Sequence, residues 1–324
     1  MITMKKNKTS LSVKIKKVTI LIPLYNEAEN IKSLIYELTE KTKNLNYPKE
    51  IIIINDGSND NSESLIKKYT RKNPVFKLIT LTKNSGQTAA MVAGIHQAKG
   101  DIIVPMDADL QNDPADIQKL VKCISQGYDV VSGWRKYRKD KIMTRILPSK
   151  IANKIISWAS GVKLNDYGCT LKAYRKSILN NVQLYGEMHR FIPIYAAWNG
   201  GKITEMVVNH RSRKFGKSKY GLDRIYKVLL DLFVVKFLTR YSEKPIYIFG
   251  GIGLLFVSFG ILTGIWILIL KIIFHVSFIK TPLPLLSVFL FGIGIISLLM
   301  GLLAEISLRT WFESQGKKTY TIKK

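Results

Sequence analysis

Two aspartates, Asp107 and Asp109, have the residue type and spacing for binding a divalent cation. They come at the end of an apolar run, IIVP followed by Met106, which predicts a buried strand, so both carboxylates leave that strand together. Carboxylate oxygens on a short loop suit Mg²⁺ or Mn²⁺, and Gln111 lies two residues further along. A cation there can bridge to a diphosphate and offset the charge that builds on a leaving group. Acid pairs are common in loops, so the position at a strand end is what supports the predicted metal site at Asp107, Asp109 and Gln111.

The elements that would position these aspartates follow an alternating pattern. Between residues 18 and 133, short β-branched runs alternate with amphipathic helical patterns, which predicts parallel strands joined by crossover helices. The predicted strands are VTILIPL, EIIIIN, FKLITL, DIIVPMD and DVVSG, and helices begin near residues 27, 61, 86 and 114. The predicted fold class is therefore α/β, with a doubly wound, Rossmann-like and mostly parallel sheet. Such sheets bind ligands at the carboxyl ends of their strands.

Polar side chains are concentrated at four of these strand ends. They occupy residues 26–27, 56–60, 84–86 and 107–111. Asn, Asp and Gly at a strand-to-helix turn are also ordinary turn and capping residues, so one such end would mean little. Four in succession favour a shared crevice lined with ligand-binding groups.

Two long apolar segments follow the predicted sheet. Residues 246–270 and 283–304 contain no charged side chain, and each segment is long enough to cross about 30 Å of hydrocarbon. We expect two transmembrane helices that form a hairpin within residues 244–308. Residues 220–243 alternate apolar and charged positions, which predicts an interfacial amphipathic helix or, alternatively, a helix that packs on the soluble domain.

Charge patterning and cysteine spacing both favour a soluble domain on the cytoplasmic side. The flank that precedes the apolar segments and the tail after them, residues 309–324, are basic, which predicts cytoplasmic termini by the positive-inside rule. Cys123 and Cys169 lack both CxxC spacing and nearby histidines, which argues against a zinc site or a disulfide framework. The predicted organisation is a basic tail (1–17), a soluble domain (18–219), the amphipathic helix, the hairpin and the basic C-terminal tail, with both termini on the cytoplasmic side of a membrane.

The formal net charge of +27, from 50 Lys and Arg against 23 Asp and Glu, indicates an anionic partner. Nucleic acid, anionic lipid and a polyanionic substrate are all compatible with it. Basic residues are concentrated between residues 211 and 227, just before the apolar segments, which favours attraction to an anionic leaflet.

Four motifs together resemble a known family. PLYNE (23–27), INDGSND (54–60), NSGQ (84–87) and DADLQNDP (107–114) resemble family 2 glycosyltransferases of the GT-A fold. The sequence is more closely similar to the polyprenyl-phosphate glycosyltransferases, among them dolichyl-phosphate mannose synthase and the bacterial undecaprenyl-phosphate glucosyltransferases. The resemblance extends over nearly the whole chain, including the two apolar segments.

The resemblance implies one sugar transferred with inversion from a nucleotide-sugar to a polyprenyl monophosphate, with Mg²⁺ or Mn²⁺ as cofactor. UDP-glucose is the first choice of donor, followed by GDP-mannose and other UDP-sugars. The residues implied to hold the donor nucleotide are Pro23, Tyr25, Glu27, Asp56, Gly86 and Asp107. Those implied to contact phosphates of donor and acceptor are Arg211, Arg213, Ser218 and Lys219. Those implied to be catalytic are Asp109, Arg135 and Asp166, with Trp134 departing from the family's G-S-R segment.

The chemistry of a phosphate acceptor agrees with these implied roles. A phosphate monoester has its second pKa near about 6, so it is largely ionised at neutral pH and attacks without a strong general base. The site then needs positive charge and alignment, which Arg135, Arg211, Arg213 and Lys219 can supply. Asp166 could act as a base, orient a donor hydroxyl or cap a helix.

Besides transfer to a protein or glycan acceptor in place of a lipid, three alternatives remain open. A processive polysaccharide synthase of the same superfamily would contain a Q-x-x-R-W motif, which this sequence lacks. A membrane-tethered nucleic-acid-binding protein would explain the charge but not four acid-rich strand ends. A structural scaffold subunit is the third. In any of these cases, glycines at 250, 251, 253, 292 and 294 would allow close packing of the apolar helices between protomers of a homo-oligomer.

Overall fold

The computed structural model describes residues 15–137, 147–179, 188–212 and 244–314. The chain divides into two compact units, Met1–Phe233 and Val234–Lys324, and each is described by itself. The predicted amphipathic helix at 220–243 lies outside the described residues, and the domain boundaries given above stay predictions.

The first unit alternates strands and helices. Its strands are β1 (Val18–Leu24), β2 (Lys49–Asn55), β3 (Phe76–Thr80), β4 (Ile102–Pro105), β5 (Val130–Trp134), β6 (Lys172–Arg175) and β7 (Ile203–Val207). Its helices are α1 (Ala28–Lys41), α2 (Ser62–Thr70), α3 (Gln87–Gln97), α4 (Ile117–Ser125), α5 (Leu147–Ser160), α6 (Lys176–Leu179) and α7 (Ile192–Trp198). Short 3₁₀ turns, Pro114–Asp116 and Met188–Phe191, precede α4 and α7.

The seven strands form one mixed sheet in the order β3-β2-β1-β4-β6-β5-β7. Strand β1 pairs in parallel with β2 and β4, β2 pairs in parallel with β3, and β5 pairs in parallel with β7. Strand β6 runs antiparallel to both of its neighbours, β4 and β5. The predicted mostly parallel α/β sheet is confirmed, while β6 and β7 were not among the predicted strands.

The centre of the sheet is covered on both faces. All seven residues of β1 are buried, and successive side chains enter opposite layers of the core. Ile20 and Ile22 join the cluster that contains α1 and α4, whereas Leu21 joins the cluster that contains α3 and α7. Burial on both faces explains why this strand is a continuous apolar run and lacks the alternation of a half-exposed strand.

The second unit is a pair of antiparallel helices, α8 (Ile246–Ile272) and α9 (Leu283–Ser314). Both are long and apolar enough to cross a membrane, over Ile246–Ile272 and Leu283–Leu308. Their backbones touch at two glycines, because a Cβ added to Gly294 would lie 2.7 Å from the carbonyl oxygen of Gly253. Cβ atoms added to Gly251 and Gly292 would meet nothing within 4 Å. Of the glycines considered for contacts between protomers, Gly253 and Gly294 are therefore used inside the hairpin.

Candidate active site

A cleft opens where the strand order of the sheet reverses. The chain proceeds outward from β1 to β2 and β3, then returns to place β4 on the other side of β1. The loops that leave β1 and β4 diverge from this switch point, which is where open α/β sheets bind ligands. The residues lining the cleft are Pro23, Leu24, Tyr25, Glu27, Asp56, Asn84, Gly86, Gln87, Ala90, Asp107, Ala108 and Asp109. All six residues predicted for the donor nucleotide line this cleft, together with Asp109.

The two aspartates after β4 lie close enough to affect each other's ionisation. Asp109 is buried and Asp107 is partly exposed. Desolvation of its carboxylate in the cleft, and then the charge of Asp109, raise the pKa of Asp107 to about 6. Hydrogen bonds from Thr170 and from Gln87, whose Nε2 lies 2.9 Å from Asp107 Oδ1, partly oppose that rise. A cation between the carboxylates would relieve the repulsion, so this pair fits a divalent metal ion.

The donor set around this pair is small. Among the residues that the structure describes, no group of three or more His, Cys, Asp and Glu side chains could hold a metal ion. Two carboxylates suit Mg²⁺ or Mn²⁺, because such a cation keeps several waters and takes substrate phosphates as further ligands. Gln111, the third predicted ligand, is not a lining residue of the cleft, and its Nε2 donates to the carbonyl oxygen of Arg211 at 3.3 Å.

Backbone strain marks the turn after these aspartates. Leu110 is buried and has φ 63°, in the left-handed region that a non-glycine residue seldom occupies. Asn26, in the loop after β1, has φ 52°, and asparagine tolerates that region better. Both turns lie at the switch point, and strain of this kind is common where a loop is held to present side chains.

Asp56 ties the loop after β3 to the loop after β2. Its two carboxylate oxygens accept hydrogen bonds from the backbone amides of Ser85 and Gly86, at 2.8 and 2.9 Å. Gly57 has φ 65°, and an added Cβ would lie 2.5 Å from the carbonyl carbon of Lys83, so only glycine allows this close approach. Asp56 therefore positions the loop that begins α3, besides lining the cleft.

The loop after β1 is fixed to the loop after β2 in the same way. Ser58 Oγ accepts a hydrogen bond from the backbone amide of Asn26, whose Oδ1 in turn accepts one from the amide of Asn59. Glu27 Oε2 accepts a hydrogen bond from Asn30 Nδ2 at 2.6 Å. The two bonds of Asn26 hold the PLYNE and INDGSND motifs together as one wall of the cleft, and the bond from Asn30 orients the Glu27 side chain.

Arg135 and Asp166 form a buried ion pair with two parallel hydrogen bonds. Arg135 Nε lies 2.8 Å from Asp166 Oδ2 and its guanidinium NH2 lies 2.9 Å from Oδ1. The side chains are 17% and 3% exposed, so water screens the pair little. Burial by itself lowers the pKa of Arg135, but the hydrogen bonds and charge of Asp166 outweigh it and raise that pKa. The pair fixes the guanidinium near enough to Asp107 for each charge to stabilise the other.

The loop that bears Asp166 is held by a second carboxylate. Glu205, on β7, accepts hydrogen bonds from the backbone amides of Asn165 and Asp166 at 2.7 and 3.2 Å, and its other oxygen accepts one from Asn165 Nδ2. Asp166 Oδ1 also accepts a hydrogen bond from the amide of Gly168. With these contacts and the pair with Arg135, the Asp166 carboxylate has a fixed orientation.

Arg211 lies away from the cleft lining and is engaged with two acids. Its guanidinium contacts Glu37 on α1 at 2.7 Å and Asp113, before α4, at 2.6 Å. The geometry favours a structural role, in which Arg211 joins α1 to the loop after β4. Phosphate binding by Arg211 stays a prediction. Arg213, Ser218 and Lys219 lie outside the described residues.

Several residues near the site were not predicted. Gln87 belongs to a quoted motif and could have been found from its place at the start of α3. Thr170 and Glu205 had no local signal, because they reach the site from the loop before β6 and from β7. Lys172 is buried in β6, where burial lowers its pKa to about 8 and its Nζ donates to the carbonyl oxygen of Tyr167 at 2.9 Å.

Solved structures with a similar fold include glucosyl-3-phosphoglycerate synthase from Mycobacterium tuberculosis. Its complex with Mn²⁺, uridine diphosphate and phosphoglyceric acid aligns with a TM-score of 0.55 and 15% identity, covering 69% of this chain and 78% of that chain. The complex with Mn²⁺, UDP-glucose and glycerol 3-phosphate aligns with a TM-score of 0.52 and 15% identity, covering 69% and 80%. At this identity the likeness concerns the fold alone, which is the GT-A arrangement that the motifs implied.

Sequence comparisons cover more of the chain. The family described as Glycosyl transferase family 2 matches residues 19–183. Dodecaprenyl-phosphate galacturonate synthase of Rhizobium johnstonii is 37% identical over 313 residues, covering 94% of this chain and 92% of that protein. Undecaprenyl-phosphate 4-deoxy-4-formamido-L-arabinose transferase of Yersinia enterocolitica is 36% identical over 318 residues, covering 97% and 95%. On the family match and on relatives that align along nearly their full length, this chain belongs to glycosyl transferase family 2.

Proposed function

We propose that this chain transfers one sugar, with inversion, from a nucleotide-sugar to the phosphate of a polyprenyl monophosphate at a membrane surface. The observation that carries the proposal is the cleft at the switch point, where Asp107 and Asp109 lie with the ends of β1 and β2. The names of both relatives contain a polyprenyl phosphate and a sugar, which supports the acceptor class. Two helices long and apolar enough to cross a membrane support an acceptor that resides in lipid.

On the donor side, we infer that the nucleotide lies against the loops after β1 and β2. Tyr25 offers an aromatic face for a base, and the Glu27 carboxylate can accept hydrogen bonds from ribose hydroxyls. The N-terminus of α3, at Gln87, lines the same cleft. The helix dipole favours negative charge there, which suits a diphosphate.

A divalent cation held by Asp107 and Asp109 would offset the charge on the departing nucleoside diphosphate. We infer no further protein ligand for it among the described residues, since Gln111 faces Arg211. Mg²⁺ and Mn²⁺ are both compatible with two carboxylates and phosphate oxygens.

In the transfer itself, an acceptor phosphate oxygen forms a bond to the anomeric carbon while the bond from that carbon to the diphosphate oxygen breaks. The electron pair of the broken bond leaves with the nucleoside diphosphate. Because the acceptor is already an anion, no side chain has to remove a proton from it. The protein has to align the two phosphates and stabilise their charge, and Arg135, beside Asp107, is a suitable cation.

We propose that Asp166 positions Arg135 and is not a base. Both of its oxygens accept hydrogen bonds from the Arg135 guanidinium, and the backbone amides of Arg135 and Gly168 add one each. A base would have to release part of this network to take a proton. Two parallel charge-assisted hydrogen bonds fix the plane of the guanidinium, so the cation has a defined orientation.

The donor sugar and the topology complete the proposal. The resemblance to bacterial undecaprenyl-phosphate glucosyltransferases makes UDP-glucose the first choice of donor, whereas the names of the two relatives contain galacturonate and 4-deoxy-4-formamido-L-arabinose. All three UDP-linked sugars belong in the first assay, with GDP-mannose as a contrast. We place the catalytic domain and both termini on the cytoplasmic side of the inner membrane, as the basic flanks predict.

The test uses membranes that contain the full-length chain. They are incubated with undecaprenyl phosphate and each radiolabelled nucleotide-sugar, and label in the organic phase is measured. We expect lipid-linked product with one donor and loss of product with EDTA, restored by Mg²⁺ or Mn²⁺. No lipid-linked product with any donor would overturn the proposal, and activity that persists in EDTA would remove the metal.

A matched pair of variants separates the site from the surface. Asp109→Asn should abolish transfer, because it removes a carboxylate from the cleft. Glu63→Gln makes the same chemical change in an exposed pair with Lys67 and should leave transfer unchanged.

A further inference from the structure

Helix α5 presents an apolar stripe to the surroundings. Trp158 is 78% exposed, Ile151 is 54% exposed and Ile155 is 37% exposed. The spacings of four and three residues place these three side chains on one face of the helix. Exposed apolar side chains grouped in this way on a helix indicate a surface that another phase or partner covers.

The charge beside this stripe is positive. Lys150 and Lys154 are exposed and lie next to Ile151 and Ile155 along the helix. Helix α5 itself contains no Asp or Glu, and residues 130–164 hold nine Lys or Arg against one acid, Asp140. A helix with Trp and Ile on one side and lysines along the edge is the composition of an interfacial helix on an anionic bilayer, where lysine stems extend toward the headgroups.

The opposite face of α5 is fixed to the protein. Ile156 is buried, Asn153 Nδ2 donates to the carbonyl oxygen of Asn165 at 2.7 Å, and Trp198 Nε1 donates to that of Ser160 at 3.2 Å. Ser157 Oγ donates to the carbonyl oxygen of Leu164 at 3.2 Å. Because the inner face is anchored in this way, the exposed stripe is part of a rigid surface.

We propose that the stripe formed by Ile151, Ile155 and Trp158 docks on the surface of an anionic lipid bilayer, with Lys150 and Lys154 toward the headgroups. The two helices of the second unit are long and apolar enough to cross a membrane, which supports a bilayer as the partner of this stripe. The inner face of α5 bonds to the loop that bears Asp166, so docking holds that loop and its partner Arg135 at a defined depth from the lipid. The phosphate of a lipid acceptor would then lie at the same depth relative to the bilayer as the Arg135 guanidinium.

The experiment measures the depth of nitroxide labels on the full-length protein in nanodiscs of phosphatidylethanolamine and phosphatidylglycerol. Single cysteines replace Ile151, Ile155 and Trp158 in a Cys123→Ser background. Cys169 is retained because it is buried and burial raises its thiol pKa to about 11, which disfavours labelling. The control is Tyr36→Cys, on the exposed side of α1, where the tyrosine is 68% exposed.

We expect the three α5 labels to be several-fold more accessible to oxygen, relative to a water-soluble nickel chelate, than the label at Tyr36. Labels that behave like the control would overturn the proposal. Labels shielded from both reagents would also overturn it, since a second copy of the chain would then cover the stripe.

A charge variant tests the lysines separately. In the same nanodiscs, Lys150→Glu combined with Lys154→Glu should return the labels at 151 and 155 toward the accessibility of the control. Unchanged accessibility would refute the role given to these lysines. The readout does not use sugar transfer, so this inference can fail while the proposed function stands, and the reverse.

Discussion

Replacing Asp166 by Asn separates a positioning role from a catalytic one. The variant keeps the size of the side chain but leaves the Arg135 guanidinium without its carboxylate. Removing one partner of a buried ion pair costs about 3–5 kcal/mol, because the other charge stays buried and unpaired. Side-chain exposures of 3% for Asp166 and 17% for Arg135 put this pair in that class.

For a domain of this size, each kcal/mol shifts the melting temperature by roughly 2–4 °C, so we expect Asp166→Asn to lower Tm by roughly 6–20 °C. The same carboxylate-to-amide change at Glu63 should cost under about 0.5 kcal/mol and lower Tm by at most roughly 2 °C, because that pair is exposed. Both variants are measured in the same detergent by the change in tryptophan fluorescence on heating.

Transfer assays on the two variants complete this test. A positioning role predicts that Asp166→Asn loses both stability and turnover, since the guanidinium is no longer held. Lost turnover with Tm unchanged would refute the present reasoning, because the carboxylate would then act in transfer without stabilising the buried guanidinium. Replacing both partners, Arg135→Met with Asp166→Leu, should recover part of the stability without any turnover, because the buried charge is gone but so is the cation.

Three further predictions follow from single residues. Because the pKa of Asp107 is about 6, protons should compete with the cation at this carboxylate, and the Mn²⁺ affinity measured by titration calorimetry should fall as the pH drops through 6. A constant affinity between pH 7 and pH 5 would contradict this prediction. The pKa of Lys172 in the folded protein, about 8, is below its value in the unfolded chain, so the unfolded chain binds more protons between those two pKa values. The free energy of unfolding should therefore rise by roughly 3 kcal/mol as pH increases from about 8 to 10.5. In urea titrations across this pH range, Lys172→Met should remove most of that rise. Gly57→Ala should lower the free energy of unfolding more than Gly127→Ala does, because both glycines have positive φ but only the Cβ added at 57 would contact backbone atoms. Equal losses in the two variants would rule out crowding against Lys83.

The first five strands could be predicted because their signals are local. β1 and β4 are buried on both faces, so their sequences are continuous apolar runs that stand out from their surroundings. Predicted helix starts near 27, 61 and 86 lie within one residue of the observed starts of α1, α2 and α3. The predicted start at 114 corresponds to the 3₁₀ turn that leads into α4.

Strands β6 and β7 lack such local signals. β6 reads KAYR, with charged residues at both ends, and its Lys172 is nevertheless buried because its amino group bonds to a backbone carbonyl. β7 is a half-buried edge strand with Glu205 at its centre, and that glutamate serves the Asp166 loop. Only pairing with distant strands makes these short polar segments extended.

The donor side of the site was predictable for a geometric reason. Parallel strands place their carboxyl ends at one edge, so the polar residues after β1, β2 and β4 had to converge once the strands were recognised. The role of each individual side chain in the cleft was not predictable. Asp56 was assigned to the nucleotide, and its carboxylate also holds the amides of Ser85 and Gly86, from a loop that sequence alone cannot dock against it.

The net charge of +27 could not show which acids the fold brings to each basic residue, because a count over the sequence contains no information on contacts. Arg211 lies in the basic stretch before the apolar helices, yet it contacts Glu37, 174 positions earlier, and Asp113. Arg135 likewise meets Asp166, and both arginines are therefore neutralised by acids far away in the sequence. The two pairs differ in what lies beside them, since Arg135 also interacts with Asp107 of the cleft whereas Arg211 bridges α1 and the loop after β4. Position relative to the cleft therefore supports the proposal that Arg135 binds phosphate, whereas phosphate binding by Arg211 stays a prediction.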